Sequence, residues 1–228
     1  MGMRSFAMAA TAALLATSAA SAVVLDDFST GYQFVNGQVT NSPTSTVAFA
    51  NGQRTVTISG ITFGLGNRYD PYAEVADYDG VFGIANASGD DSTTTLSYAL
   101  ATSVDAGNID KLTLKYLSND PGVPDTTNEV RLLIGGTEVG GPKMVSASSA
   151  AFDLDFVLTD SDRAALASGA SVGFQFDGLP AYDLSLTGVD YSLLDTPPGG
   201  GELPVPAPGA LGLLGLGLLG VASRRRKA

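Results

Sequence analysis

Between residues 23 and 195 the chain consists of short runs in which apolar and polar side chains alternate, separated by Gly, Asn, Asp and Pro. A period of two sends successive side chains to opposite faces, so each run predicts a half-buried β-strand. Strands are predicted at 23–28, 31–35, 46–50, 53–58, 72–76, 80–85, 93–100, 111–117, 129–134, 152–158, 172–176 and 184–194. Asn51-Gly52 lies between two of them, and both residue types accept positive φ, so the dipeptide predicts a two-residue type I′ hairpin. One helix interrupts the pattern. Asp160, Ser161 and Asp162 offer a cap and first-turn negative charge, and Gly169 can take the left-handed position past the last turn. Many short strands with one short helix predict an all-β fold, an antiparallel β-sandwich of jelly-roll type. An up-and-down barrel has the same periodicity.

Both ends leave this pattern. Residues 1–22 carry Arg4, an apolar run from Phe6 to Ala16, and Ala20-Ser21-Ala22, the layout of a secretory signal helix cleaved between Ala22 and Val23. Residues 1–22 have no twin-arginine pair, so the general secretory route is expected. The body, 23–195, gives way to a Pro/Gly linker at 196–208, a hydrophobic stretch at 209–222 and a basic tail at 223–228. The hydrophobic stretch is 14 residues long. As a helix it would cover about 21 Å, short of the ~30 Å hydrocarbon core. Arg224, Arg225, Arg226 and Lys227 act as a stop on the cytoplasmic side, which places the body outside.

Val205, Pro206, Ala207 and Pro208, followed by the Leu/Gly stretch and the Arg-Arg-Arg-Lys end, resemble the PEP-CTERM sorting signal in its Val-Pro-Ala-Pro variant. The resemblance implies an exosortase, a membrane transpeptidase that cleaves near the Pro-x-Pro motif, as partner. It also implies an inner-membrane-tethered intermediate that ends at the cell surface or outside. Ala207 stands where the more familiar form carries Glu, which leaves the exosortase subtype open. A plain C-terminal membrane anchor is the simpler alternative. Within the body, Leu25-Asp26-Asp27-Phe28 and Gly188–Leu193 resemble the edge strands of galactose-binding-like jelly-roll modules. That likeness implies that the first and last strands pair and share a structural calcium, held by Asp26 or Asp27 together with Asp190.

Composition narrows the chemistry. All 23 acidic residues lie in the body and linker against seven basic ones, a balance of −16 that makes nucleic acid and anionic lipid poor partners. The chain has neither Cys nor His. Disulfides, imidazole-based triads and the usual zinc and haem sites are therefore excluded, and the body must be held by its hydrophobic core. No cofactor is expected apart from calcium. What remains is carboxylate chemistry, in the pairs Asp26/Asp27, Asp77/Asp79, Asp90/Asp91, Asp153/Asp155 and Asp160/Asp162. Asp153 and Asp155 alternate with Phe152, Leu154 and Phe156, the pattern of a solvated sheet face.

Three functions fit: a non-catalytic protein of the envelope or extracellular polysaccharide matrix, a carbohydrate-binding module, and a glycoside hydrolase or lyase working with two carboxylates. The first is the expectation, so the chain is read as no enzyme. The second is the alternative. Without Trp, it would need Tyr69, Tyr72, Tyr78 and Tyr182 as its stacking platform.

Overall fold

The computed structural model describes residues 22–37, 43–62, 71–76, 80–86, 89–122, 126–178 and 180–194. Among them the chain forms β1 (Val23–Asp26), β2 (Gln33–Asn36), β3 (Thr44–Phe49), β4 (Gly52–Thr62), β5 (Tyr72–Ala76), β6 (Val81–Ala85) and β7 (Asp91–Leu100). A 3₁₀ turn (Ala106–Asn108) leads to β8 (Ile109–Asp120), β9 (Thr127–Ile134), β10 (Thr137–Ser146) and β11 (Phe152–Val157). Helix α1 (Asp160–Ala167), β12 (Val172–Gly178) and β13 (Asp183–Leu193) complete the order.

The strands make two antiparallel sheets. One runs β11-β8-β13-β6-β5-β2, with β1 also paired to β13; the other runs β10-β9-β12-β7-β4-β3. Each sheet keeps open edges, so the fold is a sandwich and not a closed barrel. The inward faces meet through aromatic contacts, Phe82 on Phe176 at 6.3 Å between ring centroids and Phe156 on Phe174 at 5.7 Å. Leu96, Leu112, Leu114, Val130 and Val189 are fully buried around them.

The hairpin expected near Asn51 forms, but its turn is shifted by one residue. Phe49 pairs with Gly52, so the loop is Ala50-Asn51, and neither residue has positive φ. Gly52 itself has φ +144°, and a Cβ there would stand 2.0 Å from the Ala99 carbonyl oxygen. The primed geometry occurs instead at Gly135-Gly136, with φ of 58° and 81°, where Ile134 pairs with Thr137. That turn opens β10, which the alternation did not reveal. Gly140-Gly141-Pro142 breaks its pattern, and the register shifts between Val139 and Lys143. Such an interruption is tolerated because β10 is an edge strand, where a proline removes no ladder bond that the sheet needs.

Helix α1 forms where expected, with its cap one residue earlier. Thr159 is the N-cap: its hydroxyl accepts from the Asp162 amide while the Asp162 carboxylate accepts from the Thr159 amide. A division into two units falls between Leu194 and Asp195. The signal segment through residue 21 and the whole of 195–228 lie outside the described residues.

Candidate functional site

The acidic candidates Asp26, Asp27 and Asp190 belong to the first and last strands of the body or directly follow them. β1 pairs with β13, Val24 opposite Asp190 and Asp26 opposite Val189. The bulge at Leu25 turns both Leu25 and Asp26 inward, whereas Asp190 stays on the outer face. Asp26 receives the Arg54 guanidinium through Nη1, at 3.0 and 2.8 Å. Arg54 is fully buried; its Nε donates to Gln33 at 2.6 Å, and its Nη2 donates to the carbonyls of Thr30 and Gly31. Phe28, at φ +56°, places its ring 5.5 Å from the same guanidinium.

Asp27 accepts from the amide and hydroxyl of Ser29, which hold its carboxyl below the usual range. Asp190 meets Lys115 at 3.4 Å. The strands of the proposed calcium site are thus neighbours, but Asp26, Asp27 and Asp190 do not converge. Among the described residues no group of three acidic side chains is placed to hold a metal ion.

Other candidates fall as follows. Asp153 and Asp155 are exposed on the outer face, where Asp155 accepts from Lys111 at 2.9 Å and Thr113 at 2.7 Å. Burial pushes the Asp155 carboxyl up, and these hydrogen bonds outweigh it, leaving it below its usual range. Asp160 and Asp162 sit in the first turn of α1. Asp77, Asp79, Tyr69, Tyr78 and the sorting motif Val205–Pro208 lie outside the described residues. Tyr182 is buried in the core and cannot serve as a sugar platform. Tyr72 remains, 39 % exposed.

Around Tyr72 the outer face of the seven-stranded sheet forms a groove of about 420 Å³. Two cross-strand rows build it. The first runs Tyr72, Ala85, Asp183, Asp120, and the second Phe34, Glu74, Gly83, Ser185. Because β6 contributes only Gly83 and Ala85 to these rows, its stretch of the sheet is a bare floor. Tyr72 and Glu74 rise on one side and Asp183 and Ser185 on the other, two strand spacings or about 9.6 Å apart.

Phe34, 47 % exposed, stacks on Tyr72 with centroids 5.9 Å apart and planes 29° apart. Burial, then the charge of Asp120 opposite, raises the Asp183 carboxyl above its usual range. Among the described residues, none that lines the groove is basic. Phe34 went unnoticed in the sequence, yet its parity carries the signal: Gln33 and Val35 point inward, so an aromatic between them must face solvent.

Curated proteins include no match to this sequence. Solved structures share a distant likeness. A family 35 carbohydrate-binding module from Clostridium thermocellum is 9% identical, with 75% of this chain and 98% of that one covered at TM-score 0.34. The CBM51 of Clostridium perfringens GH95, in complex with methyl-galactose, is 10% identical at 0.34, covering 75% and 100%. The family 11 module of the Clostridium thermocellum cellulase Lic26A-Cel5E is 11% identical at 0.35, covering 77% and 96%. Similarity at this level carries no functional argument. The end of the chain is another matter: residues 204–227 match the PEP-CTERM protein-sorting motif, which marks an exported protein held transiently at the membrane and processed by an exosortase before surface or extracellular placement.

Proposed function

We propose that the mature chain is a non-catalytic protein of the envelope or extracellular polysaccharide matrix, and that its folded domain holds polysaccharide in the groove of the seven-stranded sheet. The observation that supports polysaccharide is the solvent-exposed Phe34–Tyr72 stack beside a floor of Gly83 and Ala85. Exposed aromatic faces give sugar rings an apolar contact, and carboxylates at the margin accept from their hydroxyls.

Asp183 lines one wall, with Asp120 beside it on β8. Glu74, on the other wall, is offset from Asp183 by two strands and two residues, about 12 Å at the backbone.

In this reading the chain leaves by the general secretory route, is tethered in the inner membrane through 209–222, and loses its basic end to the exosortase. Mass spectrometry of the envelope and extracellular fractions, from cells with and without their exosortase, tests this. The expected product begins at Val23 and lacks Arg224–Lys227 only when the exosortase is present. A full-length C-terminus in both strains defeats the processing step. Glycan-array binding by the exported protein, with and without calcium, tests the groove.

A further inference from the structure

Resting on the reading of the groove as a glycan site, we infer that its ligand is a cationic, amino-bearing glycan, a chain of hexosamine units with free amines, rather than a neutral or uronic-acid polysaccharide. The groove is one-sidedly charged. Asp183 and Asp120 face each other on adjacent strands, a pairing of like charges that is unfavourable when nothing lies between them. Burial and the Asp120 charge already make ionised Asp183 costly. Glu74 stands on the opposite wall, next to the aromatic stack.

Among the described residues, the lysines of this sheet are engaged elsewhere. Lys115 meets Asp190 and Lys111 meets Asp155, both outside the groove lining. The buried Arg54 is taken up by Asp26. An ammonium on a sugar ring stacked against Tyr72 or Phe34 would donate charge-assisted hydrogen bonds to Glu74, and one on a ring at the opposite wall would donate them to Asp183 and offset its repulsion by Asp120. A uronic acid would add a carboxylate to a groove in which no described lining residue is placed to neutralise it.

The test uses the purified exported protein with chelator present and three oligosaccharides of equal length: glucosamine oligomers, their fully N-acetylated counterparts, and galacturonic acid oligomers. Titration calorimetry at low and high salt reads the affinities. The glucosamine oligomer is expected to bind at least about tenfold tighter than the N-acetylated one, the least that one charge-assisted hydrogen bond supplies. That margin should shrink as salt rises.

The variant carrying Glu74→Gln and Asp183→Asn should lose the preference, whereas Tyr72→Ala should weaken both ligands. Equal affinity for the free-amine and acetylated oligomers overturns the charge preference and leaves the glycan site standing. Binding of none of the three, or binding that Tyr72→Ala leaves untouched, overturns the groove itself.

Discussion

The residue with most at stake in this fold is Arg54. Its place in β4 has the parity of Val56 and Ile58, so a charge is carried into the core, and its three guanidinium nitrogens all find acceptors there. A buried ion pair is tolerated when fully bonded and becomes costly when half of it is removed. Asp26→Ala is therefore expected to lower unfolding free energy by about 3–5 kcal/mol, because it strands the guanidinium. Replacing both Asp26 and Arg54 with Leu should cost much less than that single change, since no uncompensated charge remains. Urea denaturation of Asp26→Leu, Arg54→Leu and the double gives the coupling directly, and additive losses would show that the pair holds nothing jointly.

Among the elements, α1 shows how local chemistry fixes a boundary. The reciprocal bonds between Thr159 and Asp162 satisfy amides that the first turn leaves free, and Arg163 pairs with Asp160 on the same turn. Thr159→Ala should lower stability by about 1 kcal/mol, read as a drop in the thermal midpoint, while Thr159→Ser should restore most of it. No change in the midpoint would mean that packing of the helix, through buried Leu166, sets its stability without the cap. The strands behave differently. β10 exists because β9 presents an edge and Gly135-Gly136 turns the chain back onto it, despite an interior that reads as loop.

For the molecule as a whole, the acidic balance makes stability a matter of pH. Asp27 and Asp155 titrate below the ordinary carboxylate value of 3.8, so what they contribute is present above 3.8 and lost as pH falls below it. Asp183 and Asp91 titrate above 3.8, Asp91 through burial and then the charge of Asp177. Their contribution is complete below 3.8 and is lost as pH rises through their raised values. Asp183→Asn should therefore stabilise the protein at pH 7 and leave it unchanged at pH 3. The gain should be under about 1 kcal/mol, because solvent screens a partly exposed carboxylate. Urea midpoints at the two pH values check the sign, and a loss at pH 7 would show that Asp183 is held by a favourable partner.

The linear order of residues was enough for every strand but β10, for the helix and for the sorting motif of the tail. Alternation reports which face each residue takes, and Val205–Lys227 is read as a linear signal, so neither needs a partner elsewhere in the chain. It also held the parity of Phe34 and Arg54, whose meaning needed a second sheet or a neighbouring strand. Folding alone decided what met across distance. It set Tyr72 two strands from Asp183 over a bare β6, turned Asp26 inward by one bulged residue, and closed β10 onto an edge. The physical reason is that a period of two fixes a side chain's face but not its neighbours, which depend on strand order and register, and those are set by how two sheets bury one shared core.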